Sequence, residues 1–165
     1  MHNHCNHTHA RQYVGSGGLE IRIISSPAGD DLRRRVLRPT EPLWHFSFSP
    51  ADDYFHLGAF QSACLAGVAS FLVEPCPSIE PPDDNSTWRL RGMATEPQFQ
   101  GRGIGAALLK TGFSEVRTRG GRLIWCFGRT SVEGFYQRNG FRAVGQPFDI
   151  PPTGPHRLFT MRVDT

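Results

Sequence analysis

The residue types best suited to chemistry stand together at Gln100-Gly101-Arg102-Gly103-Ile104-Gly105-Ala106, between a stretch that reads as a strand and one that reads as a helix. The first amides of a helix have no partner inside it, and glycines let a phosphate approach them closely, so this segment can hold a phosphate group. Gly101, Gly103 and Ala106 also meet the dinucleotide spacing of glycine, x, glycine, x, x, glycine or alanine. That fingerprint follows its strand at once and needs an acidic residue at the end of the next strand. Here Glu96 to Gln100 intervene, and Phe127, Gly128 and Arg129 stand where the acid belongs. The context therefore argues against a dinucleotide. A second reactive group, His2, His4, Cys5, His7 and His9, offers soft metal ligands without the second element that a structural site uses, so no functional metal is expected. Cys126 lies inside an apolar run, where a free cysteine is a small core residue before it is a nucleophile.

The elements that position the glycine loop follow from periodicity. Residues 1–18 lack an apolar pattern and read as a disordered, histidine-rich tail, and residues 19–165 read as one domain. Ile21 to Ile24 predict a strand, and Leu32, Val36 and Leu37 predict a helix that Pro39 ends, with Arg33 to Arg35 on its solvated face. Tyr54 to Phe60 and Leu65 to Val73 predict an antiparallel hairpin turning at Gln61 to Ala63. A proline-rich loop runs from Glu74 to Ser86, then Thr87 to Thr95 predicts the strand that leads into the glycine loop. The helix beyond it spans Ile104 to Arg119, and Leu123 to Phe127 makes a further strand. Thr130 and Glu133 have capping-box spacing before a short helix through Phe135 and Tyr136. Phe141 to Val144 and Leu158 to Val163 predict two last strands, joined by a loop from Pro147 to Pro155. Strand-rich first half, then alternating helix and strand, gives a mixed α/β sheet.

Composition bounds the class. A chain of 165 residues with 38% hydrophobic and 20% charged residues can bury one core. No apolar run has membrane length and no secretion signal opens the chain, and the four cysteines read as reduced thiols, so the expected compartment is the cytoplasm. A net charge of +3 is too mild to imply a nucleic-acid partner, although 17 of the 18 basic residues are arginine, a planar donor suited to phosphate and carboxylate.

Gln100-x-x-Gly103-x-Gly105, followed by Ala-Ala-Leu-Leu, resembles the pyrophosphate-binding motif of the GNAT N-acetyltransferase superfamily. Gly134-Phe135-Tyr136-Gln137-Arg138-Asn139-Gly140-Phe141, about 35 residues on, resembles the same family's last-helix pattern, and the likeness spans roughly residues 19–163. The resemblance implies a mixed, mostly antiparallel central sheet of about six to seven strands, a splayed central strand pair and helices on both faces. It implies an N-acetyltransferase that moves the acetyl group of acetyl-CoA directly to a primary amine in a ternary complex, with a catalytically degenerate, coenzyme-holding sensor as the alternative. By the same likeness the backbone of Met93, Ala94 and Thr95 holds the pantetheine arm. Gln100, Gly101, Arg102, Gly103, Ile104, Gly105 and Ala106 meet the pyrophosphate, with Phe135 beside them. Tyr136 becomes the general acid for the departing thiolate. Many relatives carry an asparagine near Phe127-Gly128-Arg129-Thr130-Ser131, and Arg129 or Ser131 stands in for it here.

No motif places the base. Glu41, His45, His56, His156 and Glu96 are candidates for contact with the acceptor, and Asp52, Asp53 or Asp149 could attract a cationic amine. The aromatic stretch with Trp44, Phe46 and Phe48 and the loop from Pro147 to Pro155 are expected to shape the acceptor pocket. The amine belongs to a small molecule or a protein, no metal is required, and pairing through the last strands would give a homodimer.

Overall fold

A computed structural model describes residues 12–14, 17–42, 53–79 and 86–163. The strands are β1 (Gln12–Val14), β2 (Leu19–Ile24), β3 (Tyr54–Gln61), β4 (Cys64–Val73), β5 (Thr87–Thr95), β6 (Leu123–Arg129), β7 (Arg142–Ile150) and β8 (Gly154–Arg162). The helices are α1 (Asp30–Leu37), α2 (Ile104–Thr118) and α3 (Glu133–Arg138). One sheet runs in the order β1-β2-β3-β4-β5-β6-β8-β7, with β5 and β6 its only parallel neighbours among the described residues. The mixed, mostly antiparallel sheet is the expected one, with the short β1 as an eighth strand. Gln12–Val14 lie in the segment read as an unstructured tail, yet they pair antiparallel with Glu20 to Arg22 at the sheet edge. The histidines before them lie outside the described residues.

Alternation along β3 and β4 builds two layers. Phe55, Leu57 and Ala59 face one side with Phe71, where Ile104, Leu108, Leu109 and Val116 of α2 bury against them. Each of the buried Phe, Leu, Ile and Val side chains contributes about 1.5–3 kcal/mol, enough to fix the start of α2 on the sheet. At Gly67, opposite Thr95, a Cβ would come within 2.8 Å of Ile104 Cγ2, so the bare backbone lets the N-terminus of α2 sit at the end of β5. On the other side Leu32 of α1 packs on Val68 and Ala94. α3 joins the α2 face through Phe135 and Tyr136.

Three further sequence expectations change. β7 and β8 are longer than predicted and only residues 151–153 separate them, because Pro147 falls in an edge strand, at a register shift between Val144 and Phe148, where no ladder donor is needed. The capping box does not form: the Thr130 hydroxyl donates to the Pro155 carbonyl at 3.5 Å, and Glu133 accepts from Arg157 and Gln137. Arg33 does not share the solvated face of Arg34 and Arg35. Its side chain is 0% exposed, lying on the α1 face with Leu32.

Candidate active site

The sheet opens where the chemistry was expected. β5 and β6 pair only at Thr87↔Leu123, Trp88↔Ile124 and Arg89↔Trp125. Beyond Arg89, β5 stays with β4 as far as Thr95↔Gly67, while β6 stays with β8 as far as Arg129↔His156. The two halves of the sheet therefore part, leaving Leu90–Thr95 and Cys126–Arg129 as the walls of a cleft. A bulge in β5 accompanies the parting: Val68 opposes Ala94 and Ser70 opposes Arg91, so three steps on β5 match two on β4. Gly92, inside that bulge, has φ +58°.

The glycine loop closes the outer end of the cleft. Gly101 and Gly103 have φ +74° and +78°, a conformation open to glycine, and a Cβ at either would meet nothing within 4 Å. The space beside the loop is open, and the first-turn amides of α2 have no carbonyl partner within the helix, an arrangement suited to an anion. Gln100 holds the loop to β5 by donating from Nε2 to the Thr95 carbonyl at 3.2 Å. Met93, Gly105 and Phe135 converge: a Cβ at Gly105 would lie 3.1 Å from both Met93 Cε and Phe135 Cζ. Arg102 is exposed, with its guanidinium 5.5 Å from the Phe99 ring centroid. The loop, the strand bearing Met93 to Thr95 and Phe135 thus come together on one surface.

Tyr136 sits at the inner end. Its ring stacks on Phe159 at 4.9 Å, meets Phe141 edge-on at 5.5 Å, and covers Gly128, where a Cβ would lie 2.4 Å from Tyr136 Cε2. The hydroxyl lies beside Cys126, the first β6 residue past the last parallel pair. Burial, reinforced by the neighbouring thiol, raises the phenol well above its ordinary range, so it remains a proton donor at every working pH. Burial also pushes the Cys126 thiol up to about 12, which keeps it protonated and unsuited to nucleophilic attack.

The remaining candidates divide. Arg129 and His156 are register partners on the α1 side of the sheet, and Arg129 donates to the Leu37 carbonyl at 3.3 Å. Arg129 therefore reaches the end of α1 and not the glycine loop. Ser131 is exposed on the turn before α3. His156 is 7% exposed, and its Nδ1 lies 2.7 Å from the Gly154 carbonyl. A carbonyl only accepts, so Nδ1 carries a hydrogen, and Nε2 is the ring nitrogen left to accept a proton. Glu41 follows α1 and accepts from Arg38 at 3.2 Å. Glu96 is ion-paired with Arg35, whose hydrogen bonds hold its carboxyl below the usual range.

His56 is not at the cleft. It is buried under α1, its Nδ1 2.7 Å from the Ser70 hydroxyl, and burial, with Arg33 nearby, lowers it to about 4. Asp53 pairs with Arg119 at 2.8 Å, and Asp149 is exposed on β7. His45, Trp44, Phe46, Phe48 and Asp52 lie outside the described residues. Among the described residues no group of three or more His, Cys, Asp or Glu could hold a metal ion, and no helix is long and apolar enough to cross a membrane.

Sequence reading missed Arg33. Its guanidinium donates from Nε to the Gly92 carbonyl at 3.0 Å and from Nη2 to the Ser70 hydroxyl at 2.7 Å. The signal was present in His56 and Ser70, polar residues inside otherwise apolar strands, which need buried partners.

Comparison with known proteins bears on the family and the fold. The model for the Acetyltransferase (GNAT) family matches residues 25–141. An uncharacterized N-acetyltransferase of Bacillus subtilis (strain 168), YitI, is 34% identical over 140 residues, 84% of this chain and 92% of that protein. Among solved structures, the ribosomal-protein-S18-alanine N-acetyltransferase of Escherichia coli aligns with a TM-score of 0.65 at 18% identity, covering 89% of this chain and 95% of that one. An aminoglycoside 6'-N-acetyltransferase complexed with coenzyme A aligns with a TM-score of 0.65 at 16% identity, covering 87% and 96%. At these identities the solved structures show a shared fold.

Proposed function

Because the chain belongs to the GNAT acetyltransferase family, we propose that it transfers the acetyl group of acetyl-CoA directly to a primary amine of a small molecule or protein, with Tyr136 as the general acid. The observation that carries this reading is the parting of β5 from β6 between a phosphate-suited loop at one end and a buried phenol at the other. Acetyl-CoA supplies an activated thioester, and the chain supplies position and protons. The loop from Gln100 to Ala106 binds the pyrophosphate, and the β5 edge at Met93, Ala94 and Thr95 takes the pantetheine. The coenzyme then lies along β5 with its thioester toward the bulge and the phenol.

The acceptor approaches from the α1 side, where Leu37, Glu41, Arg129 and His156 stand. As its nitrogen bonds to the acetyl carbon, the carbon–sulfur bond breaks and the Tyr136 hydroxyl gives its proton to the departing sulfur. The thiol of coenzyme A, with a pKa of about 8.5, is a stronger acid than this phenol, so the proton transfer is coupled to carbon–sulfur cleavage and the phenolate then regains a proton from solvent. The proton leaving the amine goes to the acceptor nitrogen Nε2 of His156, directly or through water. The high thiol pKa of Cys126 favours this single-step route over an acetyl-cysteine intermediate.

Thiol release from acetyl-CoA, followed with a chromogenic disulfide across a panel of amino acids, polyamines, aminoglycosides and peptide N-termini, tests the reading. Turnover with at least one amine, above background hydrolysis, is the expected result. Tight acetyl-CoA binding without turnover on any of them would identify a sensor instead.

A further inference from the structure

We propose that Arg33 is a positioning residue that aims the Met93 amide at the thioester oxygen; the proposal rests on the acetyltransferase reading above. A fully buried guanidinium is costly, and an apolar side chain in its place would often serve stability equally well. Arg33 instead spends its donors on particular backbone and side-chain atoms. Besides Gly92 and Ser70, it donates from Nη1 to the Ser26 carbonyl at 3.2 Å and to Asp30 Oδ1 at 3.4 Å. Ser26 and Asp30 tie it to the start of α1, Ser70 ties it to β4, and Gly92 ties it to the bulge of β5 itself.

The Gly92 carbonyl and the Met93 N–H belong to one peptide group. That bond is not among the cis peptides of the chain, so the two point in opposite directions. Arg33 reaches the carbonyl from the α1 side of the sheet, which turns the Met93 N–H toward the opposite side, where Met93, Gly105 and Phe135 converge. The β5 strand runs from the parting point at Arg89 toward the glycine loop. A coenzyme whose pyrophosphate lies at that loop brings its acetyl end to the Gly92 end of the strand. A cation on the carbonyl also polarises the peptide, making the N–H a stronger donor to an oxygen on which negative charge develops. Arg33 thus fixes the direction and raises the strength of a donor that it never shares with the substrate.

A role of this kind separates acetyl-CoA from free coenzyme A, because only the former has the thioester oxygen. In Arg33→Lys, which keeps the charge and loses the fork, calorimetric Kd for acetyl-CoA is expected to rise about tenfold, with Kd for coenzyme A within about twofold of wild type. Ser70→Ala removes one anchor of the guanidinium and is expected to give a smaller shift in the same ratio. That second variant decides the matter if Arg33→Lys fails to fold. Equal weakening of both ligands, or no change in either, overturns the proposal and leaves Arg33 a structural residue. A wild-type chain that binds neither ligand refutes the acetyltransferase reading itself.

Discussion

Replacing Tyr136 by phenylalanine separates the chemistry of the phenol from its packing. The ring contacts with Phe159, Phe141 and Phe135 do not involve the hydroxyl, so they persist in the variant. What is lost is one polar contact with the Cys126 thiol. A neutral hydrogen bond is worth about 1 kcal/mol net, which for a domain of this size moves Tm by about 2–4 °C. A general acid contributes about 10²–10⁴ in rate, or about 3–5 kcal/mol of barrier, so kcat should fall far more than stability does. The assay is thiol release at saturating acetyl-CoA, run from pH 6 to 10 with the best amine from the panel. Because burial holds the wild-type phenol protonated over that whole range, loss of the acid should cause no alkaline decline below about pH 10. A Tyr136→Phe enzyme with kcat within roughly threefold of wild type would refute the acid role, since so small a change is less than 1 kcal/mol of barrier.

Two stability predictions follow from packing and titration. His56 titrates near 6.5 when unfolded and is lowered to about 4 in the fold, so the unfolded chain binds its proton first as pH falls. The contribution is present above pH 6.5 and is lost between pH 6.5 and 4, about 3 kcal/mol in urea unfolding that His56→Gln should not show; parallel curves for the two proteins would contradict it. In Gly112→Ala the new Cβ would lie 2.0 Å from Phe71 Cζ, so the α2 helix must lift from β4. A loss of about 1–3 kcal/mol in chemical denaturation is expected, and an unchanged midpoint would show that the Phe71 ring moves away freely.

The sequence was most legible where periodicity and punctuation agree. The hairpin of β3 and β4, with its turn at Ser62 and Ala63, and the long α2 helix each combine a regular apolar pattern with a clear stop, so their ends fall within a residue or two of expectation. The convergence of Met93, Gly105 and Phe135 was foreshadowed by two motifs that composition alone would not have joined. Prolines misled: Pro147 and Pro155 read as loop, although an edge strand and the first residues of a strand tolerate a missing donor. Arg33 misled in the opposite sense: helical spacing puts position 33 between Val36 and Leu37 on the apolar face, but its charge grouped it with the solvated Arg34 and Arg35. Thr130 and Glu133 had the right spacing for a cap, but tertiary partners at Pro155 and Arg157 claimed both side chains. Arg129 lies on the face opposite the glycine loop because residues alternate along β6, a parity that could be assigned only once the strand's neighbours were known.

The opened sheet is proposed to receive acetyl-CoA. Thermal unfolding of the purified chain with acetyl-CoA and with NADPH, in separate samples, tests it most directly. Acetyl-CoA at about 100 times its Kd should add about 2.7 kcal/mol and raise Tm by about 5–10 °C, with NADPH leaving it unchanged. A rise with NADPH and none with acetyl-CoA would contradict the account.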